Sequence, residues 1–288
     1  MKSINELIHL VQLEKLSESV FLGQNYQAPW KRVFGGQVLA QSLSAAQQTV
    51  DAERFAHSMH AYFLLAGDIL TPIIFEVEKI RDGGSFSTRR VVAKQNGIAI
   101  FFMSISFQKK ENGYDHQIEM PDVAGPENLS SDLDMVKKYK FFVPDHIFQV
   151  INERPFEFRM VEQVKILDFK TKLPYRNFWF KANENFEADI NIHQRLLTYV
   201  SDYNLLTTAT LPHTMGPLPN KDLFMASLDH GMWFHRDFRI DDWLLYAMDS
   251  PSASNARGFA RGNIFNKEGI LVASVVQEGL MRLKKNES

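Results

Sequence analysis

The segment from Ile190 to Asn204, INIHQRLLTYVSDYN, sets Ile192, Leu196, Tyr199, Val200 and Tyr203 at the spacing of one apolar stripe on an α-helix. Asp202 falls about a quarter turn from the middle of that stripe, so it can face a pocket or an interface while the helix stays anchored in a core. Taken alone, a solvated helix acid is the plainer account of that position. Two further helices are predicted upstream. One runs from Asn5 to Leu16. The other follows a loop punctuated by Pro29 and the Gly35, Gly36 pair, and carries Leu39, Leu43, Ala46 and Val50 in a stripe rich in small residues that lets it lie close to a sheet.

Four strand-like runs come next, His57 to Leu65, Ile73 to Arg81, Phe86 to Gln95 and Ile98 to Gln108. The turn signals RDGG and QNG join the last three, as in an antiparallel meander. From Lys109 to about Pro155 the chain is polar and broken by Pro and Gly, with a short helix-like tail before Val143. A linker of about forty-five residues is too long for an ordinary connection inside one compact unit. The order then repeats. Strand-like PFEFRMVEQ (Pro155 to Gln163) and RNFWFKA (Arg176 to Ala182) precede the Ile190 helix, and LFMASLDHGMWFH, WLLYAMDS, ARGFARGNIF and ILVASVVQEGLMR follow it.

The two halves superimpose residue by residue where they match best. Gly97-Ile98-Ala99-Ile100 lies against Gly269-Ile270-Leu271-Val272, and Gln37-Val38-Leu39 against Gln194-Arg195-Leu196. One strand-plus-helix unit is therefore used twice. A helix wrapped by a curved antiparallel sheet is the hotdog arrangement, so the expected fold is α+β, a double hotdog. Its parts are an N-terminal unit (1–110), a linker (111–155) and a C-terminal unit (156–288), with sheet edges left open in one unit paired by the other.

Composition narrows the class of activity. The 288 residues are 45% hydrophobic and 12% aromatic, enough for a large core, and the formal net charge of -2 offers no field for nucleic acid or an acidic membrane. With no cysteine in the sequence, disulfides, thiolate metal sites and a cysteine nucleophile are excluded. Neither a secretory signal nor a membrane span is legible, and the C-terminal KKNES lacks a Ser-Lys-Leu address, so a cytoplasmic location is expected. G-x-S-x-G, G-x-G-x-x-G, P-loop and H-E-x-x-H motifs are all absent, GGSFS at Gly83 coming nearest to the first. His57 with His60, and His230 with His235, have no carboxylate in register. They read as structural histidines rather than metal ligands, although His60 or His230 could touch a ligand. Trp179, Trp233 and Trp243 read as core.

The segments VFGGQVLAQSL, RDGGSFSTRRVVAKQNG, YVSDYN, SLDHGMWFHR, WLLY, SASNARGFARG and ILVASVVQEGLMR together resemble the acyl-CoA thioesterase II family over essentially the whole chain. The resemblance implies a double hotdog and hydrolysis of fatty acyl-CoA to free fatty acid and coenzyme A; no cofactor is expected, and the chain is expected to form a homo-oligomer. It also implies a catalytic trio in the second half. The family's Asp matches Asp202 and its Gln matches Gln277. Its usual Thr falls on Ser227, which keeps the hydroxyl and loses the methyl.

The chemistry agrees with that trio. A thioester is already activated, so a catalyst needs a positioned water, an acceptor for its proton and donors for the oxyanion. Asp202 can orient and deprotonate the water if burial lifts its pKa. Ser227 and Gln277 would hold the water's other hydrogen bonds. Alternation along Ile270 to Gln277 sets Gln277 on one face with Leu271, Ala273 and Val275. The amides near Gly35 and Gly36, at a helix N-terminus, are candidate oxyanion donors. Two other readings stand beside hydrolysis, a hotdog hydratase or dehydratase and a non-catalytic acyl-CoA binding module. The former needs a His and acid pair, and His193 lies nearly opposite Asp202 in helical phase. One site per chain is expected, because the alignment sets Ala45 against Asp202 and Ile105 against Gln277.

Overall fold

The computed structural model describes residues 3–27, 31–162, 172–213 and 222–284. Ser3 caps α1 (Ile4–Val11), its hydroxyl accepting from the Glu6 amide. The helix stops short of the predicted Leu16. Gln12 turns extended, Leu13 folds inward, and Glu14 and Lys15 pair as β1 (Glu14–Lys15) with Leu22 and Phe21 of β2 (Val20–Gly23). Pro29 lies outside the described residues.

Gly35 and Gly36 are not loop residues. They form the first turn of α2 (Gly35–Gln47), whose residues are buried without a break from Gly36 onward. A helix buried all round must be narrow, and its Gly, Ala and Ser positions make it so. The meander follows as β3 (Arg54–Phe63), β4 (Ile73–Asp82), β5 (Phe86–Gln95) and β6 (Ile98–Lys109). Asn96 and Gly97, at φ 50° and 78°, make the tight hairpin between β5 and β6.

The connecting segment carries two short helices, α3 (Asp132–Lys138) and α4 (Asp145–Asn152). The repeat then runs through β7 (Phe156–Met160), β8 (Tyr175–Ala182), α5 (Ile190–Ser201), α6 (Leu205–Thr208), β9 (Leu223–Ser227), β10 (Asp229–Phe234), β11 (Leu244–Ser254), β12 (Arg257–Asn266) and β13 (Leu271–Leu283). Gln163, the predicted end of β7, lies outside the described residues. The run LFMASLDHGMWFH, expected as one strand, divides at Leu228. There the Leu228 amide donates to the Glu278 carbonyl, and Asp229 Oδ1 accepts from the Glu278 amide.

Among the described residues the sheet has 13 strands, all paired antiparallel, in the order β1-β2-β4-β5-β6-β3-β10-β13-β12-β11-β8-β7, with β9 pairing β13. The order reads alike from either side of the β3–β10 seam, where His60 pairs with Gly231. α2 touches five strands, β2 to β6. Five strands about 4.8 Å apart are wider than a helix of about 10 Å, so the sheet curls round it. This is the double hotdog. The second helix, α5, lies directly against α2. Among the described residues no helix is long and apolar enough to cross a membrane.

The duplication extends to irregularities. β6 skips Ile100 between Phe101 and Ala99 in its pairing with β5, and β13 skips Val272 between Ala273 and Leu271 in its pairing with β12. These bulges coincide in the register that sets Gly97 against Gly269. They also break the predicted alternation. Val272, Ala273 and Val275 enter the inner core, whereas Leu271 joins a separate cluster with Leu129, Trp179, Leu245 and Phe265. Gln277 therefore shares a face with Ala273 and Val275, but not with Leu271.

That outer cluster explains the long connection. Gln117 donates from Nε2 to the Gly269 carbonyl (2.7 Å) and accepts at Oε1 from the Leu271 amide (3.0 Å), and Trp179 Nε1 donates to the Ala124 carbonyl (2.9 Å). Leu129 packs beside Trp179, so this stretch covers the outer face of the second half of the sheet. Trp179→Ala should cost about 3–5 kcal/mol in chemical denaturation and open residues 110–125 to proteolysis in the folded protein. Unchanged protection in that stretch would show that it is held without Trp179.

Candidate active site

α5 ends at Ser201, although the core continues beyond it through Tyr203 and Leu205. Asp202 is its C-terminal capping residue and Asn204 takes a left-handed conformation, φ 62°, that turns the chain into α6. Because α5 lies against α2, the end of α5 meets the beginning of α2. The Gly36 amide donates to Asp202 Oδ2 at 2.9 Å. Asp202 thus sits at the negative end of its own helix and the positive end of the neighbouring one.

Small residues are obligatory at this crossing. A Cβ on Gly36 would stand 2.3 Å from the Tyr199 carbonyl oxygen, and one on Gly35 would stand 2.7 Å from Asp202 Oδ2. The amides proposed from sequence as oxyanion donors serve otherwise in part, since Gly36 N–H is committed to Asp202. The dipeptide is a clearance for the carboxylate.

Gln277 approaches from β13. Its Nε2 donates to Asp202 Oδ1 at 2.8 Å and to Ser227 Oγ at 3.1 Å, and its Oε1, fully buried, has no protein partner. The reverse orientation of the amide would set Oε1 against the carboxylate, so the network fixes it. Both Gln277 N–H groups are committed, and the Ser227 proton is left to donate into the cavity. Ser227 is held at the end of β9 opposite Gly279, immediately before the Leu228 irregularity. Asp202, Ser227 and Gln277 line one cavity of about 220 Å³ with Asn204, Leu206, Thr207, Met225 and Ala226.

Burial is the largest influence on Asp202 and pushes its carboxyl up to about 6, against the opposing hydrogen bonds from Gln277 and Gly36. A carboxylic acid at about 6 is ionised at neutral pH and basic enough to take a proton. The histidines lie elsewhere. His60 is exposed on the outer face of the sheet, edge-on to Trp233 at 5.0 Å, while its neighbour Met59 points into the core. His230 is buried under α5 with Nε2 3.0 Å from Ser201 Oγ, and burial holds it neutral with a pKa of about 3. His193 is at the far end of α5, accepting the Ile240 amide at Nδ1 (3.2 Å) between Phe186 and Phe238. Neither His60 nor His230 lines the cavity, and among the described residues no His pairs with Asp202. Trp179 is core to the outer cluster, whereas Trp233 and Trp243 are only partly buried.

The equivalent place in the first half is apolar. Ala45 and Ile105 are fully buried hydrophobic positions, and Ala56, which holds the place of Ser227 beside a matching irregularity at His57, is likewise buried. Sequence reasoning did not find Gly36 as the partner of Asp202, nor the cavity wall from Asn204 to Thr207. The first depends on contact between distant helices. The second had a local signal in the Asp-Tyr-Asn ending of a helix, since Asn tolerates the left-handed turn.

Comparison with known proteins accounts for both halves. A family model described as acyl-CoA thioesterase matches residues 149–280, and one described as acyl-CoA thioesterase N-terminal domain matches residues 26–108. Acyl-CoA thioesterase 2 of Haemophilus influenzae is 42% identical over 98% of this chain and 99% of its own length. Acyl-coenzyme A thioesterase 8 of Homo sapiens is 38% identical over 97% of this chain and 89% of its own. The crystal structure of an acyl-CoA thioesterase II, TesB2, from Mycobacterium marinum aligns with a TM-score of 0.79 at 38% identity, covering 96% of this chain and 98% of that one. With its duplicated fold and whole-length similarity, this chain belongs to the acyl-CoA thioesterase family.

Proposed function

We propose that this chain hydrolyses medium- to long-chain fatty acyl-CoA to free fatty acid and coenzyme A, with Asp202 as general base for a water held by Ser227 and Gln277. One observation carries the reading. A carboxylate lifted to about 6 stands at a cavity, pinned on one oxygen by Gln277 and on the other by the Gly36 amide. A water there can donate to Asp202 and accept from the Ser227 hydroxyl, while Gln277 holds both of those groups in place through its Nε2.

Asp202 takes the proton as the water oxygen attacks the thioester carbonyl carbon. The tetrahedral oxyanion collapses with cleavage of the carbon–sulfur bond, and Asp202 returns the proton to the departing thiolate. Leu206, Met225 and Ala226 give the cavity an apolar side for the acyl chain. In this reading the C-terminal unit (156–288) carries the chemistry, the linker (111–155) braces it, and the N-terminal unit (1–110) contributes the Gly36 amide and no second site.

Thiol release from a panel of acyl-CoA substrates tests the activity. A binding module would release none, and a hydratase or dehydratase would change the acyl group without freeing thiol. Asp202→Asn should cut turnover about 10²- to 10⁴-fold with acyl-CoA affinity largely kept. Ser227→Ala and Gln277→Ala should cost less, and their combination less than the sum, because one water is shared. A near-normal rate in Asp202→Asn removes Asp202 as the base, and half the activity would mean a second site.

Affinity for a non-hydrolysable acyl-CoA thioether should rise with chain length by at most about 0.8 kcal/mol per methylene, with about one ligand per chain. A flat series from butyryl to palmitoyl would remove the apolar tunnel.

The pH dependence follows from the sign of the Asp202 shift. Activity should fall as pH drops through about 6, where the base becomes protonated. Stability runs the other way. Between the ordinary carboxyl value of 3.8 and about 6 the folded protein binds the proton more tightly than the unfolded chain, so this group's contribution is lost as pH rises through that window. Asp202→Asn should therefore gain stability relative to the parent between pH 4 and pH 7.5 in denaturant titrations. A constant difference would mean that the carboxyl is not shifted.

A further inference from the structure

Arg154, Arg159, Arg236, Arg239, Arg257 and Arg261 each pair with a carboxylate within the protein. Arg195 instead donates to the neutral Gln47 Oε1 at 2.6 Å, away from the Asp202 cavity. Arg176 makes no ion pair among the described residues. Its Nη1 donates to Thr207 Oγ1 at 2.8 Å and to Asn204 Oδ1 at 3.3 Å, both neutral. Those two residues line the cavity that holds Asp202, Ser227 and Gln277.

Among the described residues the acid that acts on Arg176 is Glu162, and its carboxylate is already engaged, accepting from the Asn177 amide at 2.7 Å and from Asn177 Nδ2 at 2.6 Å. Burial accordingly lowers the pKa of the guanidinium, with Glu162 opposing only in part. Guanidinium stays protonated under any ordinary condition, so the charge persists, and among the described residues its desolvation is offset only in part. A partly buried arginine held to two neutral side chains that themselves line a cavity is an arrangement that an anion completes. The guanidinium fork matches the oxygens of a phosphate, and only some of its donors are used by Thr207 and Asn204.

The substrate supplies such an anion at one end only. The acyl chain and thioester are uncharged, and the coenzyme carries phosphates. We propose that Arg176 is a coenzyme-binding residue, gripping a phosphate of the coenzyme A portion at the polar rim of the cavity while the acyl chain takes the apolar side. Asn204 and Thr207 orient the fork, and the left-handed Asn204 couples it to the turn that carries Asp202. This rests on the thioesterase reading above.

The test compares a long-chain acyl-CoA with the same acyl group on pantetheine, which has no phosphate. Arg176→Gln should raise KM for acyl-CoA about tenfold or more, in keeping with a lost charge-assisted bond, and leave KM and kcat for acyl-pantetheine unchanged. Arg176→Lys, which keeps the charge without the fork, should lie between. The salt dependence of KM for acyl-CoA should weaken in Arg176→Gln. Equal losses on both substrates would make Arg176 only a support for the Asn204 turn, and no change on either would remove it from binding; each overturns the proposal.

Should Arg176→Gln fail to fold, Arg176→Lys with the same two substrates decides alone. No thiol release by the parent from either thioester would sink the thioesterase reading instead. Calorimetric binding of free coenzyme A against pantetheine would then still read the anion site, which predicts tighter coenzyme A binding that Arg176→Gln abolishes.

Discussion

The contact of α2 with α5 across the seam is the constraint on which the rest of the structure depends. Backbone approaches backbone there, Gly36 against the Tyr199 carbonyl, at a distance that no side chain on Gly36 would permit. That closeness lets a carboxylate at the end of one helix receive an amide from the start of the other. Each helix is otherwise walled by its half of the curled sheet, so its burial is bought by small residues on α2 and by aromatic and aliphatic ones on α5. Hydrophobic burial drives the assembly, and close packing at the crossing sets its geometry.

Duplication explains why the crossing has two ends and asymmetry explains why only one bears the polar trio. At the Asp202 end, the amide of Gly36, the amide group of Gln277 and the hydroxyl of Ser227 converge. The other end is occupied by Gln47, which reaches Asn191 and Gln194 and accepts from Arg195 at 2.6 Å, with Ala45, Ala56 and Ile105 in the core beside it. A duplicated unit needs its fold in both copies, whereas one copy can release its polar side chains to packing. The repeated bulges at Ile100 and Val272 belong to the fold and are retained in both.

The charge economy of the site follows the same logic. Desolvation raises the free energy of the ionised Asp202, and two donors limit that cost without cancelling it, which leaves a carboxyl near 6. Stronger pairing, to an arginine for example, would have produced a stable and unreactive acid. The neighbouring His230, held neutral, adds no compensating charge.

From the sequence alone came the repeat, the two helices, the meander strands and the trio Asp202, Ser227 and Gln277. The strands were legible because alternation and turn residues are local properties, and β5 begins and ends where its pattern does. The trio was legible through a likeness carried by whole segments, not through spacing, since its members lie in three separate elements. What the tertiary structure decided were relations between distant segments. The Gly35, Gly36 pair resembled a loop because its role is clearance for another helix, and Leu271 changed face because a bulge is set by the partner strand. The polar connection proved to cover a sheet face through hydrogen bonds such as Trp179 to Ala124, which leave no period in a sequence. His60 and His230 could not be assigned to either face of their strands without the seam register. Local chemistry fixes which elements form; the desolvation and close approach that lift the Asp202 carboxyl to about 6 arise only where elements remote in the chain are pressed together.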